Sequence, residues 1–450
     1  MRVAIVGSGP SGFYAAGQLL AEKERSVEVD VFDRLPTPWG LVRGGVAPDH
    51  PKIKSVSRVY EKIARKPGFR FFGNVEVGRD VRHAELSEWY DAVIYAVGTA
   101  ADRRSGIAGE DLPGSWSATE FVGWYNGHPD FRDLAFDLSG KRAVVVGNGN
   151  VAVDVARMLS LTEDELRVTD IADHALEALI ASNVEEIVVL GRRGPEQAAF
   201  TNPELLELGA MGDADVVVDP ADLQIAEEVR EERLDQTARR NVEILHEYAA
   251  KAPEGRSRRI VLRFLTSPVE ILGDGRVERV RVVRNELVRG ADGRLSARAT
   301  GREELIECSL VFRAIGYTGV PLPELPFDER RGVIPNEQGR VAGVPATYVA
   351  GWIKRGPSGV IGTNKKCATD TVAALLADLE AGRLAERELP AAEEIEAVLR
   401  ERRPELVSYE GWEQIDAAEK AAGEPQGRPR VKFTTIDELL DAAGVRQPIG

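Results

Sequence analysis

The residues of this 450-residue chain best suited to chemistry are three glycines and an acid near its start. Gly7, Gly9 and Gly12 form a complete G-x-G-x-x-G between an apolar segment and a helical one. Such a turn lets backbone approach a pyrophosphate and presents the N-terminus of a helix to the anion. Asp33 ends the next apolar segment, 21 residues after Gly12, which is the spacing of an acid that binds a ribose hydroxyl. The pattern predicts a dinucleotide site; the alternative is a glycine-rich turn without a ligand.

A second glycine turn follows about 140 residues later, where Gly147, Gly149 and Ala152 form G-x-G-x-x-A. The next apolar segment ends in Arg192 and Arg193 rather than in an acid. Two guanidiniums suit a 2′-phosphate by charge and by geometry, so this site is predicted to prefer NADP to NAD. The alternative is a solvated arginine pair on a loop. Two dinucleotide sites in one chain suit a bound flavin and a separate hydride donor.

A third glycine-rich segment, residues 351–362, precedes a helical pattern. A helix N-terminus aimed at the pyrimidine edge of a flavin would stabilise the anionic reduced ring. Trp352 could pack beside that ring. The alternative is an ordinary helix-start loop with a tryptophan in the core.

Composition excludes several classes of protein. Lysine and arginine number 58 against 73 acids, a net charge of −15, which argues against nucleic-acid binding and against an anionic membrane surface. The two cysteines, Cys308 and Cys367, are too few for an iron–sulfur cluster, a zinc ribbon or a CxxC dithiol. They suit a reducing compartment, and no signal peptide or membrane span is visible, so the chain is expected in the cytoplasm.

The elements that must position these residues alternate between strand and helix, which predicts an α/β fold with parallel sheets. Gly273-Asp274-Gly275 predicts a hairpin turn, and antiparallel strands are expected over residues 260–289. The other predicted strands are 3–6, 27–33, 69–77, 92–97, 143–146, 187–190, 310–315 and 348–350, and the predicted helices are 11–23, 55–64, 151–160 and 367–379. The charged last 60 residues are expected to be helical.

Residues 36–52, called the signature loop below, read PTPWGLVRGGVAPDHPK. This segment resembles the signature of the adrenodoxin-reductase-like ferredoxin–NADP reductases, and of their bacterial members most closely. Segments 147–152, 191–194, 351–366 and 427–432 match the same family in order and spacing. One departure is Asp33, where the family often has Glu.

The resemblance implies two Rossmann-like domains of the glutathione-reductase-like flavoprotein type. An FAD-binding domain is expected over residues 1–105 and 318–450, and an NADP-binding domain over 106–317. Besides the first glycine turn, the FAD contacts implied are Ser11, Asp33, Leu41, Val77, Trp352, Gly359, Val360 and Ile361. The NADP contacts implied are Arg103, Asn148, Gly149, Asn150, Val151, Arg192, Arg193 and Glu204.

The family's active-site histidine and its carboxylate partner match His50 and Glu207. An imidazole near a carboxylate can stay charged or relay a proton, which flavin reduction requires. The alternatives are a loop histidine ordered between Pro48 and Pro51, and a solvated helix carboxylate.

The implied activity passes hydride from NADPH to FAD and then single electrons to a ferredoxin-type iron–sulfur protein. Two other functions stay open: a flavin diaphorase or monooxygenase that uses NADPH, and a redox-inactive module that binds cofactors. Because ferredoxins are generally acidic, docking requires a local basic face on this acidic chain. The candidate cations are Lys52, Lys54, Arg58, Arg239 and Arg240.

Overall fold

A computed structural model of the chain describes residues 1–224, 234–291, 293–359, 361–385 and 387–446. Val360, one of the predicted FAD contacts, lies outside these described residues. The strands, numbered β1 to β18 along the chain, are Arg2–Val6, Glu28–Phe32, Phe69–Phe72, Ala92–Tyr95, Ala101–Asp102, Ser115–Ser117, Arg142–Val146, Glu186–Leu190, Ala214–Val218, Arg258–Arg263, Thr266–Leu272, Arg279–Arg289, Leu295–Glu307, Leu310–Arg313, Tyr317–Thr318, Asn336–Glu337, Arg340–Val341 and Thr347–Val349.

The helices, numbered α1 to α16, alternate with these strands over much of the chain. They are Pro10–Leu19, Leu41–Gly44, Pro51–Lys54, Ser57–Ala64, His83–Trp89, Ala118–Tyr125, Asn150–Met158, Glu163–Arg167, Asp173–Ile180, Asn202–Gly209, Gln236–Ala250, Trp352–Arg355, Ile361–Glu380, Ala392–Arg402, Tyr409–Gly423 and Ile436–Ala442. Short 3-10 turns lie at 129–131, 195–197, 220–223 and 424–426.

The chain forms two compact units, of which the first comprises residues 1–101, 126–132 and 316–450. Its sheet has the strand order β16-β17-β18-β4-β1-β2-β3, and the five strands from β18 to β3 run parallel. Residues of β1 alternate between two cores: Val3 and Ile5 face α1 and α13, whereas Ala4 and Val6 face α5 and α14. Burial on both faces explains why β1 reads as a continuous apolar run.

The second unit comprises residues 102–125 and 133–315. Its six-stranded sheet is parallel throughout, in the order β6-β14-β7-β8-β10-β9. A three-stranded antiparallel sheet, β11-β12-β13, packs on one face, where Val280 and Val282 meet Val144 and Val188. The predicted α/β class with Rossmann-like parallel sheets is confirmed, whereas the assignment of a cofactor to each predicted domain stays a prediction.

One strand prediction is wrong in part. Strands β11 and β12 do pair antiparallel across the predicted hairpin, but β10 pairs parallel with β8 and β9 in the large sheet. The chain reverses between Arg263 and Thr266, where Leu265 takes a positive φ of 52°. A reversal this short between two apolar strands leaves little signal in the sequence. Among the described residues, no helix combines the length and the apolar character that crossing a membrane requires.

Candidate functional site

The first glycine turn joins β1 to α1 in the first unit. Gly7 has a φ of 104° and donates its N–H to the Phe32 carbonyl at 2.8 Å. A Cβ on Gly12 would lie 2.0 Å from the Gly7 carbonyl oxygen, so only glycine lets α1 start this close to β1. Gly9 caps α1 without any side-chain hydrogen bond. The first N–H groups of α1 therefore lack a side-chain cap, which suits them to a phosphate.

Asp33 lies directly after β2, beside this turn. Its Oδ2 accepts hydrogen bonds from the Ser8 backbone N–H at 3.0 Å and from the Ser8 hydroxyl at 2.5 Å. Its Oδ1 accepts from the Leu35 N–H at 3.0 Å. The carboxylate is thus fixed at the end of its strand, where a ribose of a bound dinucleotide is expected.

The signature loop packs against the same turn. Trp39 donates its N–H to the Ser8 carbonyl at 3.1 Å, and its φ of 86° is strained for a residue with a side chain. A Cβ on Gly40 would lie 2.9 Å from the Cα of Gly9. Leu41 follows with 40% of its surface exposed, and Val77 is half-buried beyond β3.

The third glycine-rich segment lies in the same unit. A Cβ on Gly351 would lie 2.2 Å from the Ser11 Oγ, so the start of α12 contacts the start of α1. The Trp352 ring stacks on Tyr317, with centroids 5.6 Å apart and planes at 27°. Its buried Nε1 has no hydrogen-bond acceptor among the described residues. Gly359 has a φ of 79° just before α13, of which Ile361 is the first residue.

These features fit a bound FAD. The uncapped helix start and Asp33 suit the pyrophosphate and ribose, and the buried donor on Trp352 suits a polar ring that provides an acceptor. The first unit therefore contains an uncapped helix start, a fixed carboxylate at a strand end and an indole N–H without an acceptor among the described residues, on elements that contact one another.

The second glycine turn repeats this geometry in the second unit, between β7 and α7. Gly147 has a φ of 134° and donates to the Leu190 carbonyl at 2.9 Å. Gly149 caps α7, again without a side-chain bond, and Asn150 and Val151 begin the helix. The Asn148 carbonyl accepts from the Ala199 N–H at 2.9 Å. The turn is thereby fixed to the segment that leads into α10.

The arginine pair follows β8, beside this turn. A Cβ on Gly191 would lie 2.8 Å from the Asn148 amide nitrogen, so the two segments are in contact. Within the described ranges, neither Arg192 nor Arg193 forms an ion pair through its guanidinium. The Glu204 Oε2 is buried and lacks a hydrogen-bond donor among the same residues. Two cations and a buried acceptor without internal partners fit a nucleotide with phosphates and hydroxyls.

The structure places the two predicted acid–base residues in different units. His50 is 7% exposed and is the N-cap residue of α3 in the first unit, whereas Glu207 lies on α10 in the second unit. The pairing of these side chains stays a prediction. Arg103 likewise belongs to the second unit, on its exposed surface.

Sequence reasoning missed a buried arginine behind Glu207. The Arg157 side chain is 2% exposed, and its Nη1 lies 3.4 Å from the Glu207 Oε2. Its Nη2 donates to the Asp154 Oδ1 at 2.8 Å. The available signal was a pair of opposite charges three residues apart among the small apolar residues of α7.

One carboxyl near the predicted NADP contacts is perturbed. Burial raises the pKa of Asp102 to about 6, with Glu120 adding to the effect, although the Thr119 hydroxyl and Arg313 oppose it. The Thr119 Oγ1 donates to its Oδ1 at 2.5 Å. Asp102 precedes Arg103 directly, so a carboxyl that gains its charge near neutral pH adjoins a predicted phosphate ligand.

Known proteins share both the sequence and this architecture. The family model described as pyridine nucleotide-disulphide oxidoreductase matches residues 1–189. NADPH-ferredoxin reductase FprA of Mycobacterium leprae is 54% identical over 444 residues, covering 98% of this chain and 97% of that protein. The mitochondrial NADPH:adrenodoxin oxidoreductase of Arabidopsis thaliana is 41% identical over 462 residues, covering 98% and 95%.

A solved structure, Mycobacterium tuberculosis FprA in complex with NADPH, has a TM-score of 0.94 at 53% identity, covering 98% of this chain and 99% of that one. The fold is that of flavoprotein oxidoreductases with two dinucleotide-binding domains, and the chain belongs to the adrenodoxin-reductase-like ferredoxin–NADP reductase family. The predicted family and enzyme class are confirmed.

Proposed function

We propose that this chain is an NADPH:ferredoxin oxidoreductase with FAD as its bound cofactor. The observation that carries the proposal is a pair of glycine turns on separate parallel sheets. One lies beside Asp33, and the other lies beside Arg192 and Arg193, which form no ion pair with any described residue. A bound FAD accepts hydride and releases electrons singly, which is the chemistry between a nicotinamide and an iron–sulfur centre.

Each unit binds one nucleotide in this proposal. The units divide near residues 101 and 316, and the predicted domain boundaries are residues 105 and 318. In the first unit the α1 start holds the pyrophosphate, Asp33 the ribose, and the segment from Trp352 to Ile361 the ring edge. In the second unit the α7 start at Asn148–Val151 holds the NADP pyrophosphate. Arg103, Arg192 and Arg193 bind phosphates, and Glu204 accepts from a hydroxyl.

His50 and Glu207 are proposed to manage the proton that accompanies hydride transfer. Arg157, itself bound to Asp154, holds the Glu207 carboxylate in place. Replacing His50 by Ala should slow flavin reduction and alter its pH profile. Anaerobic stopped-flow absorbance measures both quantities, and an unchanged rate with an unchanged profile would contradict a role for the side chain.

The partner is proposed to be an acidic ferredoxin that docks on a basic face of the first unit. Lys52 and Arg58 are exposed and have no ion pair within the described part of the chain. Arg240, in contrast, binds Glu243 at 2.9 Å and Glu247 at 3.1 Å, so its charge is largely neutralised. The contacts therefore favour Lys52 and Arg58 over Arg240 as docking cations, whereas Arg239, which forms no ion pair within the described residues, keeps its place among the candidates.

The two cysteines are free and buried, and burial raises the pKa of the Cys308 thiol to about 12. With two cysteines in the chain, the iron–sulfur centre must belong to the partner. A reducing, cytoplasmic location is part of the same proposal.

The decisive experiment is anaerobic. NADPH should bleach the yellow protein, and added ferredoxin should restore the flavin absorbance while its own cluster is reduced. Bleaching without ferredoxin reduction would favour a diaphorase or a monooxygenase, and a hydroperoxyflavin seen on admitting oxygen would identify the latter. The proposal would be contradicted if the purified protein bound no flavin, or if NADPH did not bleach its flavin absorbance.

A further inference from the structure

One buried carboxylate joins the C-terminal segment to the signature loop. Glu419 lies on α15, and its side chain is 0% exposed. Its Oε1 accepts from the Arg43 Nη2 at 2.5 Å and from the Phe433 N–H at 3.0 Å. Its Oε2 accepts from the Arg43 Nη1 at 2.8 Å and from the Arg430 Nη1 at 3.0 Å. All four contacts lie within the first unit.

The Arg43 side chain is thereby fixed in its orientation. Its guanidinium binds the two carboxylate oxygens in parallel, which is the strongest geometry for this pair. Its Cζ also lies 5.4 Å from the centre of the Trp412 ring, and its carbonyl accepts from the Lys432 Nζ at 3.4 Å. The burial of Glu419 disfavours its charge, but Arg43 and Arg430 outweigh this and hold the pKa of the carboxyl below its usual range.

Arg43 lies three residues after Gly40, at the end of the short helix α2, and its N–H donates to the Gly40 carbonyl at 3.1 Å. Gly40 packs against Gly9, and the Trp39 backbone N–H donates to the Ser8 carbonyl. The signature loop therefore packs along one side of the first glycine turn. Trp412 packs directly against the signature loop, with its ring at 85° to that of Trp39 and the ring centroids 6.0 Å apart.

The strained backbone of Trp39 needs this external support. A left-handed φ on a bulky residue costs on the order of 1–3 kcal/mol and persists only where surrounding contacts determine it. The loop has no long helix or strand of its own between Pro36 and Lys52. Contacts from α15 and from the segment after it supply the missing constraint.

Resting on the FAD site proposed above, we propose that Glu419 is a positioning residue for the cofactor: through Arg43 it holds the signature loop against the first glycine turn, so that the C-terminal segment retains FAD. Glu419 itself contacts no cofactor in this arrangement.

The test is FAD release from the full-length holoenzyme carrying Glu419→Gln. This change keeps the size of the side chain and removes its charge, so we expect the FAD dissociation constant to rise about ten- to hundredfold. Flavin fluorescence after dilution measures release, and far-UV circular dichroism measures thermal unfolding of the same samples.

The matched control is Asp378→Asn. The Asp378 side chain is also buried in the first unit, at 7% exposed, and accepts from the Arg340 Nε at 2.7 Å and from the Tyr348 hydroxyl at 2.8 Å. It lies near the far end of α13, about 25 Å along the helix from Ile361. This variant should lower the unfolding midpoint without loosening FAD. A milder variant, Arg43→Lys, keeps the charge but loses the bidentate geometry, and should loosen FAD to a smaller extent.

Wild-type FAD affinity in Glu419→Gln, or equal loosening in Asp378→Asn, would overturn the positioning role. Should Glu419→Gln fail to fold, Arg43→Lys decides, and its unchanged affinity would overturn the role as well. Ferredoxin takes no part in these measurements. A wild-type protein that binds FAD but does not reduce ferredoxin would refute the proposed function alone.

Discussion

The surface arginines of the second unit differ in whether a neighbouring acid neutralises them. Several of them are paired, as Arg298 is with Glu286 and Arg263 with Glu304. Arg192 and Arg193 are not, within the described residues. A cation pair left unneutralised beside a helix start is suited to a ligand that carries the compensating phosphate.

Replacing both Arg192 and Arg193 by Ala should therefore lower the NADPH-to-NADH ratio of kcat/KM by about a hundredfold, since two charge-assisted hydrogen bonds to the 2′-phosphate are lost. Steady-state kinetics with a small artificial acceptor measures the ratio without requiring a ferredoxin. Arg298→Ala, on β13, is the control. An unaltered ratio in the double variant would show that Arg192 and Arg193 do not bind the 2′-phosphate of NADPH.

His128 gives a second prediction at the same scale. Burial, aided by Arg34 and Arg43, lowers its pKa to about 4, although Asp130 opposes this. The unfolded chain, with an ordinary histidine near 6.5, binds the proton first, so stability falls as the pH drops from 6.5 to 4. Its Nδ1 accepts from the Asp130 N–H at 3.2 Å, a bond that the oxygen of Asn can imitate.

The variant His128→Asn should remove about 2 kcal/mol of this acid-induced loss in the free energy of unfolding. Urea unfolding at a series of pH values between 4 and 7.5 measures it. His246→Asn, on the exposed side of α11, controls for the loss of a histidine as such. Parallel pH curves for wild type and His128→Asn would contradict the assignment.

At the scale of elements, each of the two large sheets contains a strand whose glycine turn leads directly into a helix, β1 into α1 and β7 into α7. The turns work because consecutive glycines serve different purposes in the same few residues. Gly12 brings α1 onto β1, since its missing Cβ clears the Gly7 carbonyl. Gly9 has room for a Cβ in the protein itself, where the nearest atom is the Gly40 Cα at 3.9 Å. We therefore expect the space beside Gly9 to admit a ligand.

Two alanine variants separate these purposes. Gly12→Ala should displace α1 and destabilise the first unit by about 1–3 kcal/mol, because the new Cβ would overlap the Gly7 carbonyl oxygen. Gly9→Ala should keep the unfolding midpoint but weaken FAD binding, because the pyrophosphate approaches that backbone. Thermal unfolding and flavin content of both proteins decide the matter. The separate roles would be refuted if Gly9→Ala lowered the unfolding midpoint while Gly12→Ala weakened FAD binding, or if both variants had the same effects.

At the scale of the whole molecule, a net charge of −15 must be reconciled with an acidic partner. Lys52 and Arg58 lie on neighbouring helices, α3 and α4, and both are exposed. A local basic patch attracts an acidic protein at short range even when the total charges repel, and salt screens both effects over a Debye length of about 10 Å at 0.1 M.

Ferredoxin turnover in the second-order regime should therefore fall as ionic strength rises. Lys52→Ala with Arg58→Ala should lower the rate at low salt and flatten this dependence. A neutral quinone as acceptor provides the control, since its rate should respond weakly to salt. If the wild-type rate with ferredoxin were independent of salt, the basic face would have to be abandoned.

The sequence by itself determined both glycine turns, the acid at Asp33, the arginine pair and the alternation that makes parallel sheets. Each is a local requirement: a φ near 104° at Gly7, or a missing Cβ at Gly12, can be met by one residue type at one spacing. Such requirements are visible in the sequence because they involve few neighbouring residues.

Only the tertiary structure decided which distant side chains meet. Arg43 and Glu419 are 376 residues apart, and Arg157 reaches Glu207 from a different helix. The turn that puts β10 in the parallel sheet likewise depends on its neighbours β8 and β9. Buried ion pairs and strand partners are selected by the packing of whole elements, since a charge enters a core only where its counter-charge is already in place. The spacing of residues along the chain does not show which distant counter-charge will lie beside a buried charge.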